Sequence, residues 1–186
     1  MNPPRRKPVV VSGLLGTLIF IGTEVMFFAG LMSAFTIVRA GALPGMWPPP
    51  NQPRLPAEAT MANTAVLLAS GVLLLMAYLR YRKGKRAFAL GAASLALGVT
   101  FLALQGREWV ALLSQGMTMT SSPLGAFFYL IVGIHGLHVI AACIVLAVVA
   151  ARLNRGIISN GFFFGAQAFW YFVVVMWPVI YLRVYF

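Results

Sequence analysis

The sequence predicts an all-α integral membrane protein, a bundle of five transmembrane helices forming a single domain over residues 1–186, and three observations carry that reading. Of the 186 residues, 61% are hydrophobic and only 9% are charged, against about 25% charged in an average soluble domain. A soluble domain of this length buries only about 70% of its surface, so the surplus apolar area must face lipid. The apolar residues fall in five long runs, and prolines and basic clusters separate those runs.

Crossing a hydrocarbon core about 30 Å thick takes about 20 largely apolar helical residues, and each run meets that length. The first, 10–38, follows Arg5, Arg6 and Lys7. A basic start of this kind resembles a signal peptide, but the run is too long and lacks a clear small-residue cleavage site, so a retained first helix is expected. Pro44, Pro48, Pro49, Pro50, Pro53 and Pro56 crowd the next connection, where missing amide donors stop a helix. The second run, 59–79, is followed by Arg80, Arg82, Lys83, Lys85 and Arg86, and the third covers 87–113. Residues 114–123 separate it from the fourth run, 124–151, and 154–161 separate the fourth from the fifth, 162–182. Small residues four apart let helices approach closely. Ala29 with Ser33, Gly30 with Ala34, Ser94 with Gly98, and Gly161 with Gly165 therefore predict a packed bundle. No internal repeat or inverted pair of broken helices of the secondary-transporter kind is present.

Charge orients the bundle. Arg5, Arg6, Lys7, Arg80, Arg82, Lys83, Lys85, Arg86, Arg152 and Arg155 lie on one side, and Arg39, Arg54, Arg107 and Arg183 on the other. Basic residues accumulate on the cytoplasmic side, which places the N-terminus inside and the C-terminus outside. Trp47, Trp109 and Trp177 then fall near the outer boundary, as an aromatic belt requires. A net charge of +11 would suit nucleic acid, but these charges sit in short clusters between spans, so no nucleic-acid partner is expected. The basic loop Arg80, Arg82, Lys83, Lys85 and Arg86 sets topology first and is also placed to attract anionic lipid headgroups.

An ionisable residue within a span costs several kcal/mol unless paired, protonated or hydrated, and so marks a candidate site. Four qualify: Glu24, Glu108, His135 and His138. At 1.5 Å per residue, Glu24 lies about 20 Å from the cytoplasmic end of the first helix, and His135 and His138 roughly 18 and 22 Å from the outer end of the fourth. All three belong near the midplane. Glu24, among Phe20, Ile21, Phe27 and Phe28, is expected to share a hydrogen bond or ion pair with His135 or His138. Such a cluster serves either as a polar clasp between helices or as a proton-exchanging or lipid-sensing site. Glu108 is shallower, beside Gln105 and Trp109, and this trio is read as an interfacial or subunit contact. Cys143, the single cysteine, reads as a small buried hydrophobe.

These residues exclude several chemistries. His135 and His138 are three apart on one helix and share a face, so they cannot ligate a haem from opposite sides. Haem-copper catalysis needs several histidines and a binuclear copper site needs paired cysteines, so no cofactor and no metal are assigned to this chain. No convergent nucleophile and base are seen, and no catalytic residue is assigned.

Motifs in order along the chain resemble one family. The first helix reads Glu24-Val25-Met26-Phe27-Phe28. The outer loop has Trp47-Pro48-Pro49, and the second helix begins Asn63-Thr64 followed by Leu67-Leu68-Ala69-Ser70. The third ends Gln105-Gly106-Arg107-Glu108-Trp109, and the fourth carries His135-Gly136-Leu137-His138. Together they resemble subunit III of cytochrome c oxidase, within the haem-copper oxidases, in a short five-helix bacterial form lacking the first two helices of longer members. The last helix departs from the family pattern: Tyr171 and Val174 stand where a histidine and an aspartate are usual. The resemblance implies an accessory, non-redox subunit of the aerobic respiratory chain in a bacterial inner membrane. It implies a catalytic subunit I as partner, carrying the haem and copper that reduce oxygen during proton pumping, with other oxidase subunits, phospholipids and a respiratory supercomplex as further associations. An accessory subunit of a nitric oxide reductase or quinol oxidase is the alternative within the broader family, and an independent proton channel built on Glu24 is a second.

Overall fold

The computed structural model describes residues 12–50 and 52–186. Arg5, Arg6 and Lys7 lie outside the described residues, as does the start of the first expected span. Five α-helices make up the architecture: α1 (Ser12–Ala40), α2 (Ala57–Arg82), α3 (Phe88–Ser114), α4 (Pro123–Arg155) and α5 (Asn160–Val184). All five are long and apolar enough to cross a membrane, and the protein is a multi-pass membrane protein. Each of α2, α4 and α5 runs past its expected apolar span at both ends, because helices continue into the polar boundary until a cap stops them.

Local chemistry sets those ends. Ser122 precedes Pro123, which needs no amide partner at the first helical position, and the Ser122 hydroxyl accepts a hydrogen bond from the Gly125 amide. Ser159 accepts likewise from Phe162 at the start of α5. The fourth helix stops at Gly156, whose φ of 68° is the left-handed conformation glycine adopts without penalty.

Helices α2, α3, α4 and α5 form a closed ring, each touching the next, and α1 lies outside it against α4 and α5. Small residues permit the closest approaches. Ser94 of α3 donates to the Ser70 carbonyl of α2 at 2.8 Å, and Gly98 faces the fully buried Trp170 of α5 and Cys143 of α4. The expected close packing through Gly161 and Gly165 holds in part: Gly165 lies against Thr17 of α1. The α1 pairs behave differently. Ala29, Gly30 and Ser33 are exposed, because α1 buries only a narrow stripe centred on Phe28 and Phe35 and turns those small residues outward.

Candidate functional site

The fourth helix presents His138 toward α1, and Glu24 Oε2 lies 3.0 Å from His138 Nε2. On the other side of the ring, His138 Nδ1 is 2.8 Å from the Ile134 carbonyl one turn earlier. A carbonyl can only accept, so Nδ1 carries a proton. One further proton then lies on the line between Nε2 and Oε2, giving either imidazolium with carboxylate or imidazole with carboxylic acid. Phe20, Phe28 and Phe172 surround the imidazole with ring centroids 6.5, 5.5 and 6.0 Å away. Each partner is less than one-fifth exposed, which in an apolar ring wall makes the shared proton costly to strand.

His135 is not part of this pair. It is turned into the ring and fully buried, stacked on Trp177 at 5.0 Å between centroids, with Phe28 and Phe101 edge-on. Neither of its ring nitrogens has a hydrogen-bond partner among the described residues. Residues three apart on a helix are about 60° apart around its axis, enough here for one histidine to meet α1 while the other enters the bundle. Trp177 corrects the aromatic-belt expectation: it is fully buried, and its indole donates to Thr64 Oγ1 of α2 at 2.9 Å.

Trp109 separates from Glu108 and Gln105, which stay together. Gln105 Nε2 donates to Glu108 Oε2 at 3.1 Å, and the Thr60 hydroxyl of α2 lies 2.7 Å from the same oxygen. Thr60 is also 2.9 Å from the Pro56 carbonyl, and its single proton serves one acceptor at a time. Asn63 Nδ2 adds bonds to Gln105 Oε1 and to the Phe101 carbonyl, and Tyr185 Oη is 3.4 Å from Gln105. Burial, with the nearby Glu108 charge, raises the Tyr185 phenol above its ordinary range, more than the Thr60 and Gln105 hydrogen bonds lower it. Trp109 instead stacks edge-on against Tyr129 of α4. Thr60, Asn63 and Tyr185 were not singled out as site residues by sequence. Asn63 could have been, since a carboxamide inside an apolar span needs a partner, but nothing local marked Tyr185.

Arg80, Arg82, Lys83, Lys85 and Arg86 are all exposed around the turn between α2 and α3. Among the described residues, no three His, Cys, Asp or Glu side chains are grouped so as to hold a metal ion. Glu24 with His138, and Glu108 with Thr60, each join two helices.

Known proteins place this arrangement. The family model described as Cytochrome c oxidase subunit III matches residues 5–186. The chain belongs to that family. Similar proteins include cytochrome c oxidase subunit 3 of Halichoerus grypus, 36% identical over 188 residues that cover 96% of this chain and 71% of the relative. That of Sus scrofa is 36% identical, covering 95% and 70%, and that of Formosania lacustris is 37% identical, covering 96% and 71%. Within this subunit III chain, Tyr171 and Val174 of the last helix pack at one place. Tyr171 and Val174 both face Gly71 of α2, where an added Cβ would lie 3.8 Å from the Tyr171 ring and 3.3 Å from a Val174 methyl. Tyr171 Oη accepts from Gln167 Nε2 at 2.8 Å and lies 3.5 Å from the Gly71 carbonyl. An aromatic ring and a branched apolar side chain thus fill the space left by a missing side chain on α2.

Proposed function

We propose that this chain is the accessory, non-redox third subunit of a haem-copper cytochrome c oxidase in a bacterial inner membrane, with its N-terminus cytoplasmic. It covers one side of the catalytic subunit, which holds the haem and copper, and keeps that subunit active through repeated proton-pumping turnovers of the aerobic respiratory chain. The family match over residues 5–186 is the observation that carries this reading. The placement of polar groups supports it: Glu24 and His138 are consumed in one clasp, and the outward face of α1 is apolar along its length, with Ile19, Met26 and Ile37 exposed. Such a face suits lipid or another membrane subunit. The exposed Arg80, Arg82, Lys83, Lys85 and Arg86 suit anionic headgroups of the cytoplasmic leaflet. The orientation comes from the distribution of basic residues.

The experiment is affinity purification of the tagged chain from its native membrane in mild detergent, with haem spectra and oxygen consumption of what accompanies it. A copurifying complex with oxidase haems that reduces oxygen with cytochrome c is expected. Depleting the chain should leave the initial rate nearly intact and make activity decay faster during turnover. A complex that consumes nitric oxide, one that oxidises quinol instead of cytochrome c, or a chain that conducts protons alone when reconstituted would refute the proposal.

A further inference from the structure

Four oxidisable aromatic side chains line one side of α5 and its C-terminal end. Trp170, Trp177, Tyr181 and Tyr185 follow one another at spacings of seven, four and four residues, which keeps them on one face of a helix. Along the axis the first step is about 10 Å and each of the next two about 6 Å. Trp170 and Trp177 are fully buried and Tyr181 nearly so, while Tyr185 is partly open at the end of the helix. The rings of Tyr181 and Tyr185 are 5.3 Å apart between centroids. At the deep end of the series Trp170 meets Cys143 of α4: both press on Gly98, whose added Cβ would lie 2.5 Å from Trp170 Cη2 and 3.2 Å from Cys143 Sγ.

Packing alone does not call for this composition. Phe28, Phe101 and Phe128 are buried in the same core, so phenylalanine fills it where only bulk is needed. Trp177 and Tyr181 place their polar atoms on Thr64 Oγ1 and the Ala57 carbonyl. Trp170 Nε1 has no hydrogen-bond partner among the described residues, a cost of burial that a phenylalanine would avoid. What separates indole and phenol from phenylalanine is that each gives up one electron to a strong oxidant. Tyr185 ends the series beside a base. Its Oη is 3.4 Å from Gln105 Nε2, and the Thr60 hydroxyl that neighbours the phenol lies 2.7 Å from Glu108 Oε2.

We propose that Trp170, Trp177, Tyr181 and Tyr185 form a relay that carries an oxidising equivalent out of the bundle, from the bilayer interior to the membrane face with the α1–α2 connection. The relay rests on the arrangement of α5, and the source of its oxidant rests on the oxidase reading. Hydroxyl radical, a product of incompletely reduced oxygen, takes one electron from the indole of Trp170 or Trp177 and becomes hydroxide, leaving an indole cation radical. An electron from Tyr181 refills the indole, and one from Tyr185 refills Tyr181. The phenolic proton of Tyr185 passes to the Glu108 carboxylate through the Thr60 hydroxyl, which leaves a neutral tyrosyl radical. A one-electron donor at that face, reduced cytochrome c in an oxidase, returns the electron, and Glu108 returns the proton. The net change is one hydroxyl radical reduced and one donor oxidised, with every side chain restored.

Ultraviolet flash photolysis of the full-length chain, purified with whatever subunits accompany it, tests the relay directly, because the flash ionises tryptophan. In the wild type the tryptophan radical absorption should decay as tyrosyl radical absorption rises. Y181F/Y185F should lose part of that rise and hold its tryptophan radical longer. Peptide mass spectrometry after exposure to hydrogen peroxide with ferrous iron, which generate hydroxyl radical, gives a residue-by-residue readout: oxidation products at Trp170 and Trp177 should increase in Y181F/Y185F. Should the double variant fold poorly by circular dichroism, Y185F alone, at a partly open position, should still increase oxidation of Trp177. Equal radical kinetics in the wild type and a folded Y181F/Y185F chain overturn the relay. So does unchanged oxidation of Trp170 and Trp177 between them. Neither readout requires oxidase haems, so failure of the relay and failure of the oxidase assignment are told apart by the haem spectrum of the same preparation.

Discussion

Replacing Glu24 by leucine removes the partner of His138 Nε2, whereas replacing it by glutamine keeps a donor in place. Because His138 Nδ1 carries the proton directed at the Ile134 carbonyl, a glutamine amide can donate to an unprotonated Nε2. The hydrogen bond then survives without any ionisation. Interhelical hydrogen bonds within membranes average about 0.6 kcal/mol and reach about 1.7, while a polar atom stranded without a partner costs about 1–3 kcal/mol. Both partners here are mostly buried and three aromatic rings surround His138, which favours the upper part of the first range. The expected losses are about 1.5 kcal/mol for E24L, a similar amount for H138L, and under about 0.5 kcal/mol for E24Q. The double variant E24L/H138L should recover about 1 kcal/mol relative to additivity. E24L/H135L should be additive, since His135 stacks on Trp177 and makes no bond to Glu24. Reversible unfolding of the purified chain in mixed micelles, followed by far-ultraviolet circular dichroism, measures all five. Additivity of E24L and H138L within about 0.3 kcal/mol would refute the coupling. An E24Q loss as large as that of E24L would show that the attraction is ionic.

Three further outcomes follow from packing and protonation. An alanine Cβ at Gly98 would lie 2.5 Å from Trp170 Cη2 and 3.2 Å from Cys143 Sγ, so G98A should destabilise the bundle by about 1–3 kcal/mol. W170F removes the colliding atoms, and thermal unfolding of G98A/W170F should show less than the summed loss. T64V should cost about 1–3 kcal/mol by stranding the buried Trp177 indole N–H, while T64S should cost much less, with Trp177 fluorescence reporting the change. Tyr185 is raised by burial, so the unfolded chain loses its phenolic proton first. Stability present below about pH 10 should fall as pH rises from there toward the raised folded value. Y185F should flatten that slope in chemical denaturation measured across the alkaline range.

Much of this molecule was legible before its coordinates. The five helices follow from run length and punctuation, since in lipid only a helix satisfies its own backbone within one segment. The meeting of Glu24 with a histidine of the fourth helix was legible because few buried partners existed for a deep carboxylate. Which histidine it meets was not, because the rotation of α4 about its axis depends on how Phe28, Phe172 and Trp177 pack around it. The same limit hid the direction of the α1 small residues and the burial of Trp177. Periodicity gives a helix's faces, but only its neighbours decide which face is inward. The Thr60, Asn63 and Tyr185 network joins residues from three segments and leaves no local spacing to read.

Helix α1 finds its place only on segments made after it. Among the described residues, α1 packs against α4 and α5 and makes no helix contact with α2 or α3, so its docking surface does not exist until the ribosome has translated α4 and α5. At roughly 5–20 residues per second, Glu24 waits on the order of ten seconds for His138. During that interval Glu24 lacks the partner that the folded bundle gives it. The clasp on α4 therefore ties α1 to a segment that leaves the ribosome only later.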